Sequence, residues 1–288
     1  VTDRDNKLGV ERFSELKTER LKYIPRSKEV QELVSITNEI NSEFEDTRQP
    51  NEQKDIYIND PTAFMCTNQA GDYLAGILWE KDSITLEPSE YIKKMAKGAD
   101  LSNFYKRVTN ITLEQMNATD AGFLSVLKSY CYDQFSFGTS GLGVFKSKLF
   151  ENGQSECCLS CKPFGVWNCC IDEGAANKID VVYTVYHWRL HQIVEEFCLD
   201  ENGEFDKQKL NNMPEEVQRA YESNKFNQKF KILFAMLPNN HYLMGKRGKK
   251  GAKFKGYWFL ENSDKKIFKV DYFRTMPIAV CRMIRVNN

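Results

Sequence analysis

Tyr132-Asp133-Gln134-Phe135-Ser136-Phe137-Gly138-Thr139 is the stretch at which this chain changes period. Upstream of it, apolar residues recur every three or four positions, the spacing of one helix face. Downstream, they come in short runs bounded by Gly, Asn and Pro, the pattern of strands joined by turns. A helical half followed by a strand-rich half predicts an α+β fold with antiparallel strands. The division falls at residues 1–137, mainly helical, and 138–288, strand-rich.

Working back from Gly138, residues 101–135 read as one long helix or two, broken near Asn117-Ala118-Thr119-Asp120. Phe104, Val108 and Ile111 mark the first half, and Phe123, Leu124, Leu127, Tyr130 and Cys131 the second. A short helix is expected over 88–97, after Pro88. Asp60-Pro61 pairs a side-chain cap with a proline at the first helical position, and that helix runs to about Trp79. Its Ala70, Gly71, Ala75 and Gly76 would let another helix approach closely. Residues 46–55 are polar and form an exposed connection. Residues 8–46 are expected to be helical, with Val10, Phe13, Leu16 and Ile24 on one face and an interruption at Pro25.

Working forward, strands are expected at 142–149, 155–161, 165–171 and 179–186, with Asn152-Gly153 as a hairpin turn. Helices return at 188–198 and, after Pro214, at 215–223. A second strand group covers 228–237, 255–261, 266–272 and 278–286.

The 288 residues carry 40 basic and 40 acidic side chains, so no global charge draws the chain to nucleic acid or an anionic membrane. Any such contact must come from a local patch. No apolar run approaches the length of a membrane span, and the charged start Val1-Thr2-Asp3-Arg4-Asp5 is no secretory signal. Nine Cys, an odd number that includes the vicinal pairs Cys157-Cys158 and Cys169-Cys170, point to reduced thiols made in a cytoplasm rather than a disulfide framework.

Two clusters stand out chemically. Cys158-x-x-Cys161, Cys169-Cys170, His187 and His191 hold the atom types of a zinc site, but at spacings that match no zinc pattern. A zinc- or cysteine-dependent enzyme using Cys157–Cys170 and His187 is therefore an alternative function. The bland reading makes the same thiols small buried hydrophobes. The second cluster is the loop Gly245-Lys246-Arg247-Gly248-Lys249-Lys250-Gly251-Ala252-Lys253-Phe254-Lys255-Gly256. It is not a P-loop, since no Gly-Lys-Ser/Thr opens a helix. Lys246, Arg247, Lys249, Lys250, Lys253 and Lys255 are its candidate DNA or partner contacts, set against the ordinary alternative of a solvated hairpin tip. A nucleic-acid-binding module built on residues 245–256 is a further alternative. His241 stands alone, and the adjacent pairs Glu195-Glu196 and Glu215-Glu216 diverge on helices and read as solvated faces. No Gly-x-Ser-x-Gly, His-Glu-x-x-His or dinucleotide fingerprint is present.

Several blocks, in order, resemble the portal (head-to-tail connector) proteins of short-tailed bacteriophages. The aromatic strand Gly256-Tyr257-Trp258-Phe259-Leu260-Glu261, a polar turn, and then Thr275-Met276-Pro277-Ile278-Ala279-Val280-Cys281-Arg282 are similar to that family's strand, turn and x-x-Pro-x-x-Val-x-Arg passage. The proline-broken N-terminal helix, the small-residue helix from Pro61 to Trp79, the Gly138-Thr139 step, the strand-then-helix step Ile179 to Gln192, and Met213-Pro214-Glu215-Glu216-Val217 follow the same order.

The resemblance implies the wing region of a portal, with the stem and clip expected after residue 288 and absent from this sequence. It implies a structural virion protein with no catalysis, cofactor or metal. Such a subunit sits in a homo-oligomeric ring, a dodecamer in the family, at the capsid portal vertex. The implied partners are other copies of itself, the capsid shell protein, terminase, tail adaptor proteins and the double-stranded DNA that passes through the channel. Assembly would take place in the host bacterial cytoplasm, without a membrane. Arg282 and Arg285 are then expected to pair within the framework rather than to catalyse.

Overall fold

In this computed structural model the described residues are 11–19, 30, 62–80, 84–95, 101–147, 153, 155–165, 167–174, 178–200, 203–261 and 267–282. Helices dominate up to residue 137 and strands after it, with both sheets antiparallel, so the fold is α+β. The N-terminal helix α1 covers 11–19, and residue 30 is also helical. The expected proline kink at 25 and the connection at 46–55 lie outside the described residues.

Four helices follow: α2 (Thr62–Leu78), α3 (Glu90–Met95), α4 (Leu101–Asn117) and α5 (Phe123–Phe137). The break expected in the long helical stretch falls after Asn117, where a single 3-10 turn, Thr119–Ala121, separates α4 from α5. The small face of α2 packs on α5: a side chain added at Gly71 would sit 3.4 Å from the Tyr132 backbone. Gly76, also expected to admit a neighbouring helix, has open space around it instead. Trp79 closes the junction, donating from Nε1 to Asn117 Oδ1 at 3.0 Å and meeting Phe123 edge-on at 4.7 Å.

The change of period is built by Gly138 and Gln134. Gly138 takes a left-handed φ of 68°, and its N–H donates to the Gln134 carbonyl, which ends α5. The buried Gln134 side chain then ties helix to strand, donating to the Gly138 carbonyl at 3.2 Å and accepting from Ser140 Oγ at 2.8 Å.

The strands are β1 (Thr139–Lys146), β2 (Leu159–Phe164), β3 (Cys169–Glu173), β4 (Ile179–Arg189), β5 (Lys229–Pro238), β6 (Phe254–Leu260), β7 (Ile267–Phe273) and β8 (Ile278–Arg282). They form a three-stranded sheet in the order β2-β1-β8 and a five-stranded sheet in the order β3-β4-β5-β6-β7. Short helices α6 (Leu190–Phe197), α7 (Lys207–Asn211) and α8 (Glu215–Glu222) connect β4 to β5.

The central strand β5 explains the layering. Ile232, Phe234 and Met236 join one core, with Leu190, Ile193, Leu210 and Val217 from α6–α8 and Phe164 and Ile278 from the small sheet. Leu233, Ala235 and Leu237 join the opposite core, where Phe13 and Leu16 of α1 are seated. Period-two alternation thus gives one strand two buried faces. The Lys17 ammonium bridges to Glu261 at 3.1 Å and Lys231 reaches the same carboxylate at 2.8 Å, pinning α1 to the sheet.

The first three strands lie off their expected positions. β1 begins at Thr139 rather than 142, since it pairs on its other side with β8, Thr139 opposite Arg282 and Gly143 opposite Ile278. Its register to β2 is set by Phe164, which fills the space above Gly143: a Cβ there would lie 2.4 Å from the Phe164 ring. β2 therefore runs to Phe164, and β3 starts only at Cys169 because a turn intervenes, with Asn168 N–H donating to the Gly165 carbonyl at 3.4 Å. β4 continues through Trp188, and α6 starts at Leu190 rather than 188, because Trp188 stacks on Tyr186 and Trp258 over the sheet. The Arg189 N–H donates to Gln192 Oε1 at 2.8 Å and starts the helix there. Helix α7 was not expected; Asp206 caps it through the N–H groups of Gln208 and Lys209. Residues 283–286 of the last expected strand, Arg285 among them, lie outside the described residues. No described helix is long and apolar enough to cross a membrane.

Candidate functional site

The thiols do not converge. Cys157 and Cys161 enter the core beneath α5 with Cys131, Cys169 enters one face of the five-stranded sheet, and Cys170 the other. Cys157 Sγ donates to the Gln115 carbonyl at 3.4 Å, and the Cys158 N–H to Gln115 Oε1 at 2.7 Å. Burial, with a smaller effect from Cys157, pushes the Cys161 thiol up to about 11, away from the reactive thiolate. Burial likewise raises Cys131, and Cys198 to about 11. His187 lies on β4 opposite Lys231, His191 heads α6 with Nδ1 3.3 Å from the Phe226 carbonyl, and His241 donates its N–H to Asn239 Oδ1. Among the described residues no group of three His, Cys, Asp or Glu side chains is placed to hold a metal ion. The expected set Cys157–Cys170 with His187 is thus spread over separate cores because strand alternation sends neighbours to opposite faces.

The basic loop joins β5 to β6 and is built around one residue that the sequence reading passed over. Asn239 is buried, and its Nδ2 donates to the Lys249 carbonyl at 3.2 Å and the Ala252 carbonyl at 2.7 Å. Its Oδ1 accepts from His241 N–H at 3.1 Å. The Leu243 N–H donates to the Lys250 carbonyl at 2.7 Å, and a short 3-10 turn, Gly248–Gly251, closes the loop. Lys246, Arg247, Lys249, Lys250 and Lys253 are exposed there. Lys253 Nζ lies 5.8 Å from the Tyr242 ring and Lys249 Nζ 5.7 Å from the Tyr272 ring. Lys255 departs from expectation. It is a strand residue of β6, only 8% exposed, with its ammonium 6.0 Å from the Tyr257 ring, so it does not belong to the exposed set.

A third feature was not singled out from sequence. Between α6 and the small sheet, over the face of the five-stranded sheet that carries Phe234 and Trp258, lies a cleft of about 980 Å³. Its floor is aromatic: Trp258 meets Phe234 at 4.4 Å, and Tyr186 and Trp188 stack at 5.1 Å. The Lys162 ammonium of β2 sits 5.9, 5.8 and 5.6 Å from the Phe145, Tyr186 and Trp188 rings, a cation held by three ring faces. Trp258 Nε1 donates to Asp271 Oδ2 at 2.8 Å, and Lys269, 3.6 Å from the same carboxylate, lies 5.2 Å from the Phe197 ring. Glu195, Glu196 and Gln192 of α6 and Lys146 of β1 also line the cleft. Burial raises the Tyr186 phenol and keeps it neutral. The signal for this site was the period-two pair Tyr186 and Trp188, whose rings share one face of β4.

One half-buried carboxyl stands apart from all three. Asp133 of α5 faces the β2–β3 turn, its Oδ2 2.8 Å from where a side chain would begin at Gly165. Burial pushes it up to about 7. Arg282 performs the pairing role expected of it, donating to Glu173 Oε1 at 2.6 Å and joining the small sheet to β3.

What these features can do is bind. Among the described residues they offer an ordered cationic loop and an aromatic cleft. No curated protein matches the chain. A family model described as bacteriophage head to tail connecting protein matches residues 7–288.

Proposed function

The chain belongs to the bacteriophage head to tail connecting protein family, and on that premise we propose that it is a subunit of the portal ring of a short-tailed phage. The family makes it a structural protein of the virion that meets capsid and tail components. The finer reading is a closed ring of identical subunits at one vertex, through which DNA enters during packaging and leaves at ejection. Terminase docks on it first and tail adaptors afterwards. Residues 1–137 and 138–288 together form the wing in this reading, with assembly in the host cytoplasm.

The single observation that carries the proposal is the family match across residues 7–288. The aromatic cleft and the exposed cationic loop are surfaces that such contacts could use. Lys246, Arg247, Lys249, Lys250 and Lys253 remain the exposed cationic contact set for a partner, and Lys255 leaves it. Negative-stain electron microscopy and native mass spectrometry of the purified protein test the ring. Annular particles of one defined stoichiometry are expected. A monomer at every concentration, together with its absence from purified capsids, would sink the reading.

A further inference from the structure

We propose that the loop tip Leu243-Met244 of one copy seats in the aromatic cleft of the next copy, making the subunit contact head to tail. This rests on the ring reading and names the two surfaces that would build it.

The tip is unusual for water. Met244 is 90% exposed and its neighbour Leu243 is 49% exposed. The backbone beneath them is ordered: Asn239 holds both arms of the loop, and the Leu243 N–H is tied to Lys250. A preordered loop that shows two large apolar side chains loses little freedom when it binds. Lys246, Arg247, Lys249 and Lys250 surround the tip, and from Lys225 to Leu260 the sequence contains no Asp or Glu. The matching socket therefore needs an apolar floor and carboxylates on its rim.

The cleft offers that chemistry. Its volume, about 980 Å³, is that of a pocket able to enclose a few side chains. Its floor of Tyr186, Trp188, Trp258 and Phe234 suits a thioether, which makes favourable sulfur–aromatic contacts. Glu195 and Glu196 stand along the α6 side. Of the lysines there, Lys162 lies over its rings and Lys269 beside Asp271, and Lys146 lines the small-sheet side. The tip does not fill the cleft of its own chain: Lys249 reaches the ring of Tyr272 at the cleft edge, yet Met244 stays in solvent. Tip and cleft are different surfaces, so their contact is heterologous, the kind that generates a ring when the rotation closes.

Two full-length variants test this in combination. Met244→Asp removes the tip, and Ser160→Trp fills the cleft from β2, where Ser160 lines it. Met244→Gln is the milder tip variant should the aspartate disturb the loop, and Glu195→Lys with Glu196→Lys the milder cleft variant. Circular dichroism and thermal melting establish that each is folded. Each alone should raise the protein concentration needed for rings at least about tenfold in sedimentation velocity. Mixed, the two retain one intact tip and one intact cleft between them, so 1:1 dimers and no rings are expected. If the wild type forms rings and the folded variants form them equally well, or if their mixture gives no dimer, the inference is overturned while the ring reading stands. If the wild type never assembles, both fall. If tip variants assemble normally but lose retention of double-stranded DNA, the loop is a nucleic-acid contact and the inference is overturned.

Discussion

The five-stranded sheet and the helical layer α2–α5 treat their apolar residues in opposite ways. Ile232, Leu233, Phe234, Ala235 and Met236 follow one another along β5 and all are buried, because helices and the small sheet cover one face and α1 the other. In the helical layer Tyr73 is 74% exposed and Phe104 59%, and Met65, Ile77 and Ile111 are exposed as well. The sheet is thus enclosed on both faces by other elements, while the helical layer leaves large apolar side chains at the surface.

The largest test of that contrast is paired. Phe234→Ala should lower stability by about 3–5 kcal/mol in urea unfolding, since the ring is enclosed and packed on Trp258. Phe104→Ala in the same assay should change it by less than about 0.5 kcal/mol. Equal losses would break the comparison.

The seam between the regions is probed next through Asp133. Its folded-state value, raised to about 7, lies above the ordinary carboxylate value of about 3.9, so the folded chain binds the proton more tightly. Its stabilising contribution is then full below about pH 4 and is lost as pH rises through about 7. Asp133→Asn should therefore stabilise the protein at pH 8, by about 2 kcal/mol, and have little effect at pH 4, as read from melting curves across that range. A variant equally stabilised at both pH values would show that Asp133 does not titrate across this window.

Within the sheet body, Asn239→Ala strips the buried Ala252 carbonyl and the part-buried Lys249 carbonyl of a donor and should cost about 1–2 kcal/mol. Faster amide exchange confined to residues 240–252 would place the loss in the loop, and uniform acceleration would instead make Asn239 a global element. The smallest effect is expected for Arg282→Ala, at most about 1 kcal/mol and weakened by salt, because its pair with Glu173 is partly solvated.

Much of the frame was legible because it is local. Gly138 ends a helix by its own backbone preference, Asn117-Ala118-Thr119-Asp120 breaks the long helical stretch, and the strand-sized apolar run within 228–237 announces a strand. What escaped depends on partners distant in sequence. β1, β2 and β3 are short and rich in Gly and Cys, so their limits follow from Phe164 over Gly143 and from β8, more than a hundred residues on. The cleft escaped for the same reason. Tyr186, Trp188 and Trp258 are each visible in the sequence, but only the β4-β5-β6 pairing gathers them. The loop was half legible: its cations were plain, while Asn239 looks like any turn residue until its bonds are seen.

The pairing of β1 with β8 has a consequence in time. β1 is made more than a hundred residues before its partner, Ile278–Arg282, and the whole five-stranded sheet is threaded between them. Until that last strand arrives, one edge of β1 offers unpaired backbone groups to any strand nearby, a known route to aggregation. Closing so long a loop is also slow, because its entropy is spent before the contacts form. The small sheet therefore closes late: only a chain made through residue 282 can shut it, and one stopped earlier would leave the β1 edge open.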